Sequence, residues 1–142
     1  MVELDHSFST GKDTDYNWEA ILDLDRVIPC VEGGRVIERT SPESANAEIK
    51  VRMGAMSLTF RGTVEVAERD EAAHHAVLRI KSKEKSNQGH ANADVTFDLS
   101  DGGGSIHTAA QISGKAASMG EGVMVTVLDA LITDFTHKLA RI

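Results

Sequence analysis

Hydrophobic and polar residues alternate with a period of two over most of this chain, and the period lengthens to that of a helix near both ends. Val2, Leu4 and Phe8 make the first apolar face. Ala47, Ile49, Val51 and Met53 then oppose Glu48, Lys50 and Arg52, and after a short turn Met56, Leu58, Phe60, Val64 and Val66 oppose Ser57, Thr59, Arg61, Thr63 and Glu65. The two runs predict a long antiparallel hairpin with one buried face. Ala76, Leu78 and Ile80 form a further face, and Ala91, Ala93, Val95, Phe97 and Leu99 alternate with Asn92, Asp94, Thr96 and Asp98. Asp101-Gly102-Gly103-Gly104 turns the chain into a last strand, Ile106 to Ile112. The polar stretch Lys81 to Gln88 reads as a solvated hairpin loop.

Two regions break this alternation. Asp13 or Thr14 is placed to cap a helix whose Trp18, Ile21 and Leu22 share a face, and Leu24 to Cys30 adds a short helical stretch with Pro29 at its edge. Gly33-Gly34 ends that stretch and starts another strand. The last thirty residues, Ser113 to Ile142, contain a predicted amphipathic helix of about six turns. Ser118 and Glu121 have capping-box spacing. Met119, Val123, Val127, Leu131, Phe135 and Leu139 recur at every fourth position, flanked by Met124, Leu128 and Ile132, and so broad a stripe must be covered. The order is strand, two short helices, about six strands and a long helix. That is α+β, with helices on one face of an antiparallel sheet. No internal repeat is visible.

Composition narrows the function. A chain of 142 residues is expected to form one domain, residues 1–142, with a core that needs no staple. Twenty-two acidic residues against 15 basic ones give a formal charge of -7, and the basic residues are scattered, so nucleic acid is not an expected partner. Cys30 is the only cysteine, which leaves no disulfide framework and no cysteine-based zinc site within the chain. The first residues do not have the pattern of a signal peptide, and Glu121, Asp129, Asp134 and Lys138 interrupt the last helix as a membrane span. The expected setting is soluble and cytoplasmic.

The element order and three sets of residues resemble the carbon monoxide dehydrogenase CoxG family of the START-like, or SRPBCC, helix-grip superfamily. The first set is Ile112-Ser113-Gly114-Lys115-Ala116-Ala117-Ser118-Met119-Gly120, with Phe135 and Leu139 following on the last helix. The second is Trp18 to Asp23 leading to Ile28-Pro29-Cys30-Val31-Glu32-Gly33, where Glu32 replaces the proline common in the family. The third is Met53-Gly54-Ala55-Met56 with Gly62 downstream. The resemblance implies a curved antiparallel sheet of about seven strands gripping the C-terminal helix, with a deep apolar pocket between them. It also implies association with a molybdenum-containing carbon monoxide dehydrogenase or related oxidoreductase, and a role in quinone supply or membrane recruitment. A variable, membrane-contacting tail is common after the last helix in the family; it is expected to be absent from this chain, which stops at Ile142.

The pocket expectation names Trp18, Ile21, Ile28, Val51, Met53, Met56, Leu58, Phe60, Leu78, Ile80, Val95, Phe97, Met119, Val123, Met124, Val127, Leu128 and Leu131 as ligand-binding residues. Methionines suit irregular or long ligands, and they equally fill gaps in an ordinary core. Ala47, Gly62, Ala76, Ala91 and Ala93 leave volume that one helix need not fill. The Gly54-Ala55 tip, set between two methionines, reads either as an apolar gate or as an ordinary tight turn. Gly120 and Gly122 allow close approach of a ligand, flexibility or close packing. No catalytic or metal constellation stands out. His74 and His75 point to opposite faces if they lie in a strand; His90, His107 and His137 have no ligand spacing; His6 shares the inward phase of Leu4 and Phe8 and is a candidate donor to a ligand carbonyl. Asp23 and Asp25 read as a solvated helix end, and Cys30 as a small buried hydrophobe.

The expectation is therefore a non-enzymatic carrier or membrane adaptor, peripheral to the inner face of the cell membrane, holding a long apolar quinone such as menaquinone with its headgroup near the pocket mouth. The alternatives are a polyketide cyclase or dehydratase-like enzyme, which needs polar groups converging in the pocket, and a ligand-free module that recruits a protein.

Overall fold

The computed structural model describes residues 1–142. One antiparallel sheet contains seven strands: β1 (Val2–Ser9), β2 (Gly34–Ser41), β3 (Ser44–Met53), β4 (Met56–Asp70), β5 (His75–Glu84), β6 (His90–Ser100) and β7 (Gly103–Ser113). Their spatial order is β1-β7-β6-β5-β4-β3-β2, so consecutive strands are hairpin neighbours except where the helical segment carries the chain from β1 to β2 at opposite edges. Three helices accompany the sheet: α1 (Thr14–Leu22), α2 (Leu24–Val27) and α3 (Glu121–Leu139).

Local chemistry accounts for the first two helices. The Asp13 carboxylate accepts a hydrogen bond from the Tyr16 amide and caps α1, and Asp23 accepts from the Asp25 amide and caps α2. Pro29 sits in the 3₁₀ turn Ile28–Cys30 that ends this region, where its missing N–H is harmless. Asn17, 1% exposed, fastens α1 to the sheet by donating to the Lys12 and Ser100 carbonyls and accepting from the Thr10 hydroxyl. As a polar residue on the buried face of α1 it escapes an argument based on hydrophobic phase.

Three expectations change. α3 has 19 residues, about five turns, and the capping box does not form. Residues Gly114–Met119 wind into a 3₁₀ turn in which the Ser118 hydroxyl donates back to the Lys115 carbonyl, and Gly120 at φ 92° redirects the chain into the helix. Lys81 to Glu84 are strand, not loop, because they pair with Phe60 to Thr63 of β4; the inward positions Ser82 and Glu84 are polar, which hides the alternation. Glu84 is buried because its carboxylate accepts from the Thr59 and Ser86 amides and holds the following turn, and these bonds lower its pKa. Finally, Glu48 is on the outer face as expected but only 4% exposed, covered by Arg35 of β2 and Arg61 of β4. That shielding depends on strand neighbours distant in sequence.

Candidate functional site

The strand register aligns small residues across the sheet. Ala47 pairs with Gly62, Gly62 with Ser82 and Ser82 with Ala91; in the next row Ile80 pairs with Ala93 and Ala93 with Ala110. Gly62 cannot carry a side chain, since a Cβ there would meet the Lys81 carbonyl oxygen at 1.8 Å. α3 lies closest to β1, where His6 Nε2 meets Asp129 Oδ1 at 2.8 Å, and so leaves the middle strands uncovered. The result is a cavity of about 190 Å³ between sheet and helix, lined by 24 residues, 18 of them hydrophobic.

Of the expected ligand-binding residues, Ile28, Phe60, Leu78, Ile80, Val95, Phe97, Leu128 and Leu131 line this cavity. The others do not. Trp18 and Ile21 belong to the core that closes one end, packed with Phe8, Leu24 and Leu99, because α1 settles over that end of the sheet. Val51, Met53, Met56, Leu58, Met119, Met124 and Val127 gather at the opposite end, with Phe60 and Ala116, in a second apolar cluster at the β3–β4 tip. They have the right face but lie too far along the strands, where the thioethers and the 3₁₀ turn fill the space. Val123 is 38% exposed, since the first turn of α3 overhangs the sheet. A Cβ added at Gly120 or Gly122 would meet nothing within 4 Å, so close packing does not explain these glycines. Gly54 takes φ 63° at the tip, where a Cβ would stand 3.2 Å from the Met119 terminal methyl.

Residues missed from sequence include Val27, Val31 and Ile49, whose place depends on how the helical segment folds back over β2 and β3. Ile106, Ile132 and Phe135 were visible as inward positions, but nothing local separates a residue facing a void from one facing a neighbour.

The lining holds few polar side chains. The Glu48 carboxylate is turned outward to Arg61 at 2.5 Å and Arg35 at 3.3 Å, and the hydrogen bond from Arg61 holds its pKa below the usual carboxylate value. The Ser82 hydroxyl donates to the Ala91 carbonyl, and Thr63 lies on the exposed face. Thr108, 4% exposed, has a buried hydroxyl with no partner. Elsewhere, His74 takes φ 50° and meets the Trp18 ring edge-on, while His75 bonds Asp98 at 2.6 Å. The Cys30 thiol is half-buried, contacts the Arg26 carbonyl, and has its pKa raised chiefly by burial. No group of three His, Cys, Asp or Glu side chains is placed to hold a metal ion.

A helix gripped by a curved seven-stranded sheet over an apolar cavity narrows the family, and the family model for the carbon monoxide dehydrogenase component CoxG matches residues 7–141. The chain belongs to the CoxG family. Its fold is START-like: it is similar to a conserved protein from Geobacillus kaustophilus, with TM-score 0.82 and 20% identity over 99% of this chain and 93% of that one. It is also similar to a START superfamily protein from Mycobacterium smegmatis, with TM-score 0.62 and 7% identity over 97% and 94% of the two chains. The Zhui aromatase/cyclase from a Streptomyces species aligns with TM-score 0.60 and 11% identity over 98% and 91%. No curated protein matches the chain. CoxG membership and this fold support a role in binding a hydrophobic ligand. No helix of this CoxG chain is long and apolar enough to cross a membrane.

Proposed function

We propose that this CoxG-family chain is a non-enzymatic carrier that takes a respiratory quinone such as menaquinone between the membrane and a molybdenum-containing carbon monoxide dehydrogenase or related oxidoreductase. The observation that carries the reading is the apolar cavity between the sheet and α3. Each methylene of an isoprenoid tail costs roughly 0.8 kcal/mol to move into water, and a protein wall that covers the tail removes that cost.

Size refines the picture. An apolar cavity of about 150 Å³ accommodates benzene, so about 190 Å³ suits a small ring system and not a whole polyprenyl chain. A long ligand therefore extends into the methionine cluster, whose unbranched side chains can repack around it. That places the ring inside and the tail toward the β3–β4 tip, the reverse of a headgroup held at the mouth.

The same tip is basic. Lys50, Arg52, Lys83, Lys85 and Lys115 are exposed there without a carboxylate partner, while Arg35, Arg39, Arg61, Arg69, Arg79 and Lys138 each hold an acidic side chain. In a chain of net charge -7 this polarity supports a peripheral approach to an anionic membrane face with the tip leading. Against an enzyme, the cavity offers one free hydroxyl and no pair of acid and base groups.

Native mass spectrometry of protein purified from a quinone-producing bacterium, with organic extraction of whatever is bound, tests the reading. A near-stoichiometric isoprenoid quinone supports it. A protein that is empty and also fails to take up added quinone overturns it.

A further inference from the structure

We propose that Thr108 is the polar anchor of the cavity, its hydroxyl hydrogen-bonding an oxygen carried on the ring of the apolar ligand. The inference rests on the carrier reading and adds the chemical class and orientation of the ligand. Thr108 lies on β7 between Leu4 of β1 and Val95 of β6, on the inward phase of the sheet. It lines the cavity, is 4% exposed, and its Oγ1 has no hydrogen-bond partner.

Buried hydroxyls are nearly always bonded, because the water they lose must be replaced. Valine has the same shape and suits a strand equally well, so a lone threonine on an apolar wall is not required by packing. A trapped water is a poor substitute, since it needs two or more polar partners, and the Ser82 hydroxyl and Glu48 carboxylate are already engaged elsewhere. An oxygen arriving on the ligand satisfies the site.

A hydroxyl both donates and accepts. Thr108 therefore suits a ring carbonyl, as in a quinone, and equally the ring hydroxyl of its reduced form. Beyond Thr108, β7 runs through Ala110 on the cavity wall to Ile112 beside the methionine cluster, which gives the tail its direction.

The test compares affinities of menadione and of methylnaphthalene, which shares its ring system but lacks the oxygens, for the wild-type chain, Thr108→Val and Thr108→Ser. The anchor predicts a roughly tenfold loss for menadione in Thr108→Val, no change for methylnaphthalene, and recovery in Thr108→Ser. The ligand-free Thr108→Val protein should melt no lower than wild type, because it replaces an unbonded hydroxyl by a methyl. Equal affinity of wild type and Thr108→Val for menadione overturns the anchor alone. Parallel loss of both probes overturns it in favour of a packing role. A wild-type chain that binds neither overturns the cavity reading together with the anchor.

Discussion

The two ends of the space between α3 and the sheet are closed by different materials. At the α1 end, Phe8, Trp18, Ile21, Leu24, Phe97 and Leu99 meet Phe135 and Leu139 of the helix, and Ile21, Leu24, Phe97 and Leu139 are 0% exposed. The Phe97 and Phe135 rings lie 6.4 Å apart in an edge-on arrangement. At the β3–β4 tip the closure is made by Met53, Leu58, Phe60 and Ala116, with Met56, Met119 and Met124 half-buried around them. Rigid rings and branched side chains define one arrangement; thioethers have many of similar energy. The ends differ in charge as well, with unpaired cations at the tip and acidic residues such as Glu68, Asp70 and Glu71 at the far turn. One end reads as an anchor and the other as a closure that can yield.

Substitutions at the two ends sharpen this contrast. The largest effect is expected from Phe97→Ala, which leaves a void beside an existing cavity in the rigid core and should cost about 3–5 kcal/mol in denaturant unfolding. If the cost is under about 1 kcal/mol, the α1 end is not the rigid one. Next, vesicle sedimentation should separate the ends by charge. Lys50→Glu with Arg52→Glu should weaken binding to vesicles of one-third phosphatidylglycerol by about 2 kcal/mol or more, and leave the negligible binding to pure phosphatidylcholine unchanged. Wild-type binding that ignores the anionic lipid would remove the tip's assigned role.

Replacing Met53, Met56, Met119 and Met124 with leucine, singly, should change stability by less than about 1.5 kcal/mol each, since volume is conserved. Stopped-flow uptake of a long-tailed quinone should slow in the combined variant while uptake of menadione does not. Equal rates for both ligands would mean that the tip is not on the path.

The smallest effect lies at the far turn. His75 has its pKa raised from the ordinary 6.5, first by the hydrogen bond with Asp98 and then by its charge. A raised folded-state value means that the pair contributes fully below the ordinary histidine value and is lost as pH rises through the raised one. Both side chains are substantially exposed, so the contribution is at most about 1 kcal/mol. Melting curves of Asp98→Asn should therefore fall below wild type in mild acid and merge with it in alkali; a constant offset would assign the effect to packing.

The residues that form the scaffold were largely readable in one dimension. The hairpin through Gly54-Ala55, the Asp13 cap, the break at Gly33-Gly34 and the Asp101 to Gly104 turn follow from periodicity and turn chemistry acting over a few residues. Half of the expected site was misplaced for a different reason. Inward phase says that a side chain leaves the sheet on the concave side, but not whether it meets another side chain or empty space. Met53 and Val51 share a face with Ile49, yet only Ile49 borders the cavity. The burial of Glu48 likewise depends on arginines from two other strands.

By itself, the sequence determined the strands, their faces, the two-residue tip, the helical segments and the family resemblance, because hydrogen-bonding geometry and side-chain alternation are local properties of the backbone. Tertiary structure alone decided where the void lies, which methionines close it, and that Thr108 faces it with its hydroxyl unbonded. Those features arise from lateral register: Ala47, Gly62, Ser82 and Ala91 are separated by up to tens of residues, and only strand pairing brings their missing volume into one place.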